Sequence, residues 1–144
     1  MNAGGVDKAC KSSDRSLQLS AIGYRPMSDF RFTKLRVYQD AKAFHRIIVF
    51  VSKAFPGEFS YLKSQMRRSS LSVVLNIAEG SAKDSDKDFN RYIQNALGSI
   101  NESAAALEVA SDAGLVDEKG TKEILELALQ LKDALGAFSK TLKG

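Results

Sequence analysis

The stretch from Gln65 to Gly80, QMRRSSLSVVLNIAEG, constrains the fold more than any other part of this chain. At 100° per residue, Leu62, Met66, Ser69, Val73 and Ile77 fall on one face of a helix, while Leu71, Val74, Leu75 and Ala78 spread around its flank towards the back. One neighbouring layer cannot cover so wide an apolar arc. Such a helix is either central to its domain or buried a second time against another subunit, and in a chain of 144 residues the second subunit is the simpler solution. Arg67 and Arg68 stand on opposite borders of the arc, where their stems can lie along apolar surface and keep their heads in water. Gly80 falls where the helix would need a left-handed cap, and Ser60 is the expected cap at its start.

Three further segments carry apolar residues at helical spacing. From about Thr33 to Phe55, the positions Val37, Ala41, Phe44, Ile48, Val51 and Phe55 step by three and four, and Pro56 with Gly57 ends the run. After a short polar linker, Ser85 and Asp88 make a weak capping box; Phe89, Ile93, Ala96 or Leu97, Ile100, Ala104 and Leu107 then mark a helix stopped by Gly114. Asp117 caps the last segment, whose Ile124, Leu127, Ala128, Leu131, Leu135, Phe138 and Leu142 form the most regular stripe in the chain. No strand alternation or internal repeat interrupts this pattern. The expected fold is all-α, an antiparallel up-down-up-down four-helix bundle over residues 29–144. Residues 1–28 lack apolar periodicity and read as a flexible tail, with Met27 a candidate biological start.

Charge and composition narrow the function classes. The longest strongly apolar run, Ile47 to Val51, is far short of the ~20 residues that span a bilayer, so no membrane role is expected. Cys10 is the only cysteine and no secretory h-region is visible, so a cytoplasmic location is the simplest. Residues 1–80 carry 13 Lys and Arg against 6 Asp and Glu, whereas residues 81–144 carry 8 against 11. A basic front half of this kind suits a polyanion.

The candidate contacts follow from that asymmetry. Lys42, Arg46 and Lys53 repeat at helical spacing on the polar face of the first helix and form a basic ridge. Arg67 and Arg68 are suited to bidentate phosphate contact, and Lys87 and Arg91 add charge at the start of the third helix. The alternative for the arginine pair is structural, as ion pairs with Glu79 or Glu102. Asn76 and Glu79 read best as groups that hydrogen-bond across helices and to exposed backbone at a helix end. His45 is the only histidine, so neither a zinc site nor a His-based catalytic pair is expected within one subunit. A di-metal bundle would need paired Glu-x-x-His motifs, which the chain lacks; no enzyme activity and no cofactor are expected.

With these elements placed, the sequence resembles the bacterial four-helix-bundle family of 23S rRNA intervening-sequence proteins and diversity-generating-retroelement accessory variability proteins. The resemblance rests on FTKLRVYQDA at Phe32 to Ala41, Phe55-Pro56, Tyr61-Leu62 and QMRRSSLSVVLNIAEG. It continues through Phe89, Tyr92, ALGSINE at Ala96 to Glu102 and the Gly114-Leu115-Val116 turn. Asp84, Asp86 and Asp88 depart from it, because this linker is often more basic in relatives. The resemblance implies a homopentameric ring that binds RNA or DNA through a basic surface and, in retroelement relatives, contacts a reverse transcriptase. The expected function is therefore a non-enzymatic, oligomeric nucleic-acid-binding accessory protein. The alternative is a protein-binding scaffold for such a polymerase, with Arg67 and Arg68 structural.

Overall fold

A computed structural model describes residues 30–144, so the expected tail and the candidate start at Met27 lie outside the described residues. Arg31 to Gly144 form one compact unit. It contains α1 (Arg36–Ser52), α2 (Ser60–Ser81), α3 (Asp86–Asp112) and α4 (Glu118–Lys143), with 3-10 turns at Arg31–Lys34 and Gly57–Phe59. Each helix packs on two neighbours in the cyclic order α1, α2, α3, α4, and the backbones of the diagonal pairs do not approach closely. Cross-helix hydrogen bonds run antiparallel. On α1, Ser52 and His45 lie opposite Arg67 and Ser70 of α2, while Ser103 and Ser99 of α3 lie opposite Ser69 and Ser72. The expected four-helix bundle is the fold found.

The helix ends show which local signals act. Ser85 accepts a hydrogen bond from the Asp88 amide at 3.1 Å, and Asp117 accepts one from the Gly120 amide at 2.7 Å, so both expected caps form. Gly114 adopts φ +75°, and the amides of Gly114 and Leu115 bond back to the carbonyls of Ser111 and Ala110, closing α3 in a Schellman motif. Two expectations fail. Ser60 does not cap α2: the Gly57–Phe59 turn feeds directly into the helix, and the capping position falls to Phe59, which offers no side-chain acceptor. Gly80 is not a left-handed cap either, because α2 continues through Ser81 and the positive-φ residues described are Gly114 and Gly144. Its missing side chain serves a close approach instead. A Cβ at Gly80 would lie 2.7 Å from Tyr92 Cβ and 2.8 Å from Phe89 Cδ1 of α3.

Every helix contributes most of its predicted stripe to one core; Leu127 of the α4 stripe is the exception, exposed beside α1. Val37, Ala41, Phe44 and Ile48 of α1 meet Leu62, Met66, Val73 and Ile77 of α2, Phe89, Ile93, Ile100 and Leu107 of α3, and Ile124, Leu131 and Leu135 of α4. Phe89 packs edge-on against Phe138, with ring centroids 5.3 Å apart. Arg31 lies over the Phe89 ring and donates to the Ser81 carbonyl, which ties the first 3-10 turn to the end of α2. The closest and most extensive interface, α2 with α3, is a seam of small hydroxyls. Ser69 meets Ser103 and Ser72 meets Ser99, each at 2.8 Å, and Asn76 donates to both the Ser72 carbonyl and its hydroxyl. Among the described residues no buried side-chain nitrogen or oxygen lacks a partner. The α1–α4 interface is the least extensive and leaves a groove lined by Ala43, Ile47, Leu127 and Gln130.

Candidate nucleic-acid interface

The arginine pair divides between two different neighbours. Arg67 is half-buried on the α1 side of α2; its Nε donates to Ser52 Oγ at 2.9 Å and its Nη2 to the Val49 carbonyl at 3.1 Å. Those acceptors belong to the last turn of α1, where the Val49 carbonyl also accepts from Ser52 Oγ, so Arg67 fastens the end of α1 to α2. Arg68 points the other way. It is exposed, donates from Nε to Gln65 Oε1 at 3.1 Å, and pairs through Nη2 with Glu102 Oε2 of α3 at 3.2 Å. Glu102 is therefore one partner the sequence suggested, whereas Glu79 is exposed and forms no ion pair among the described residues.

Beside Arg67, His45 Nδ1 lies 2.7 Å from Ser70 Oγ. Helical spacing gave no hint of this Ser–His contact. The Ser70 hydroxyl also lies within hydrogen-bond reach of the Arg67 carbonyl at 3.2 Å, so it stands between His45 and the Arg67 backbone. Burial, and then the Arg67 charge, push the His45 pKa below its ordinary value of 6.5. Ser70 has no solvent exposure, so no substrate reaches its oxygen.

The ridge on α1 is a different kind of surface. Lys42, Arg46 and Lys53 fall on the side of α1 opposite Val37, Ala41, Phe44 and Ile48, and none of them takes part in an ion pair among the described residues. Lys42 rests 5.3 Å from the Tyr38 ring; Arg46 and Lys53 are exposed. Residues 31–56 hold six cations (Arg31, Lys34, Arg36, Lys42, Arg46, Lys53) against one acid, Asp40. Arg36 is already paired with that acid at 3.8 Å.

Lys87 and Arg91 lie on the outer side of α3, which is diagonal to α1, so the structure does not bring them to the ridge. Their surroundings are also acidic. Residues 82–113 hold three cations against six acids, Asp84, Asp86, Asp88, Glu102, Glu108 and Asp112, and Arg91 pairs with Asp88 at 3.7 Å. Of the seven candidate cations, Lys42, Arg46 and Lys53 form one surface, Lys87 and Arg91 another, and Arg67 and Arg68 are held by partners within the bundle.

The family model of the 23S rRNA-intervening sequence proteins matches residues 33–137, the whole bundle short of its two ends. The chain belongs to that family. Among solved structures, a protein of unknown function from the S23 ribosomal protein family of Bacteroides thetaiotaomicron has the same fold. It is 24% identical, with a TM-score of 0.67 over 72% of this chain and 98% of that one. No curated protein matches the chain.

Of the remaining motif residues, Asn76 bonds to Ser72 of its own helix and not across helices as expected, Glu79 stands exposed without the expected side-chain hydrogen bond among the described residues, Gly80 lies at the α2–α3 approach and Glu102 pairs with Arg68. No cluster of His, Cys, Asp and Glu among the described residues could hold a metal ion, and no described helix is long and apolar enough to cross a membrane. Phe50, which the helical pattern does not mark as a site residue, is 75% exposed on the outer side of α1. It lies four residues after Arg46 and three before Lys53, and its position opposite the core stripe was the signal available.

Proposed function

We propose that this protein is a non-enzymatic, oligomeric accessory protein that binds nucleic acid through the outer face of α1. The observation that carries this reading is the concentration of cations on that face, where Lys42, Arg46 and Lys53 are free of internal ion pairs. Binding of this kind is driven by release of counterions as phosphates are neutralised, with little reading of base edges. Membership of a family named for an rRNA insertion favours RNA over DNA. Assembly is favoured by the outer side of α2, where Leu71 and Leu75 are 40% and 55% exposed. In a cytoplasmic homopentamer, the state the family resemblance implies, each ridge is repeated around a ring and its weak individual contacts combine.

The test is fluorescence anisotropy of the nuclease-treated protein with RNA and DNA at low and moderate salt. Lys42→Gln/Arg46→Gln/Lys53→Gln is expected to reduce affinity and to flatten the salt dependence by up to about three phosphate contacts. Arg67→Gln, which loses an internal lock, is expected to change the slope far less. Equal slopes for the triple variant and the parent would remove the ridge from the interface.

One observation favours a second reading. Arg67 is locked between α1 and α2 and the exposed Arg68 is paired with Glu102, while apolar side chains stand exposed on several helices. This combination suits a scaffold that holds a protein partner, such as the reverse transcriptase of a diversity-generating retroelement. It predicts tight protein association alongside weak, non-saturating nucleic-acid binding.

A further inference from the structure

The α1 ridge contains an aromatic ring that phosphate binding does not need. Phe50 is the most exposed large apolar side chain among the described residues, and Arg46 and Lys53 stand one helical turn to either side of it. Burial would favour this ring in the core, and the core stripe of α1 is already filled by Phe44, Ile48 and their neighbours. Between Lys42 and Lys53 the ridge spans about 16 Å of helix. Its chemistry is therefore mixed, with cations for a backbone and one free π-face in the same row.

We infer that Phe50 is a base-stacking platform and that the ridge takes unpaired nucleotides of a single strand rather than duplex. This rests on the proposed phosphate-binding role of α1 and narrows its substrate class. In a duplex the faces of the bases are covered by their neighbours, and a ring on a convex helix reaches only the backbone. A single strand exposes those faces. Successive bases then stack on aromatic groups while flanking Lys and Arg follow the phosphates, without regard to sequence. The positive charge around Phe50 selects such a polyanion over an apolar protein surface.

The experiment uses the full chain and compares a short single-stranded RNA, a single-stranded DNA of the same sequence and an RNA duplex. Phe50→Leu keeps an apolar helix former and removes the ring; Phe50→Tyr keeps the ring. Phe50→Leu is expected to weaken single-strand binding about tenfold, leave duplex binding unchanged and leave the native mass unchanged, while Phe50→Tyr behaves as the parent. The chain has no tryptophan, so Phe50→Trp supplies a single reporter whose fluorescence single strands should quench and duplex should not. Single-strand binding that is equal in the parent and Phe50→Leu but lost in Arg46→Gln would overturn the stacking role and leave the phosphate reading standing. Absence of all binding would overturn both. A lower native mass for Phe50→Leu would make the ring a subunit contact and also overturn the proposal.

Discussion

At the scale of single residues, the side chains between α1 and α2 show how one set of groups can resemble a binding site and act as a joint. Arg67 spends its donors on the Val49 carbonyl and Ser52, and its own carbonyl accepts from Ser70, which in turn faces His45. Burial, and then the Arg67 charge, lower the His45 pKa there. A histidine whose folded pKa is depressed contributes fully above its unfolded value, and the contribution is lost as pH falls through the window between that value and the folded one. Urea midpoints measured from neutral to mildly acidic pH are expected to decline in that window. His45→Gln should remove that part of the decline and leave the carboxylate-dependent loss at lower pH. The Arg68–Glu102 pair was legible in the sequence as one of two candidate partners. The Arg67 lock was not, because a backbone carbonyl has no residue identity to read.

At the scale of elements, periodicity located all four helices, while their ends depended on chemistry of uneven clarity. Asp117 and Ser85 act as caps because a side-chain oxygen stands where helix amides are unpaired. Ser60 resembles them in sequence, but the 3-10 turn before it moves the capping position to Phe59. Glycine has a comparable ambiguity, signalling either a positive φ or a missing Cβ. Gly114 is the first kind and Gly80 the second, and what decides Gly80 is the presence of Phe89 and Tyr92 across the α2–α3 turn. Gly80→Ala is therefore expected to cost about 1–3 kcal/mol through overpacking. Gly98→Ala and Gly136→Ala, where an added Cβ meets nothing within 4 Å, should each raise stability by up to about 1 kcal/mol. Thermal melts of the three variants separate the two roles, and a stabilised Gly80→Ala would contradict the close approach.

At the scale of the whole molecule, charge and apolar surface are distributed by helix. The cations of α1 and the acids of α3 lie on diagonal elements, and the exposed leucines of α2 lie between them. Leu71→Gln/Leu75→Gln is expected to lower the native mass in light scattering while far-UV circular dichroism stays unchanged, since both positions sit outside the monomer core. An unchanged mass would remove these leucines from the proposed assembly. The sequence by itself determined the number of helices, their order, the stripe each buries and the excess apolar arc of α2, because periodicity reports a side chain's angle about its own helix axis. Only the tertiary structure decided which outer faces look the same way, which arginines remain free and which glycine is crowded. Those properties depend on the placement of one helix axis relative to another, and side chains far apart in sequence settle that placement through packing.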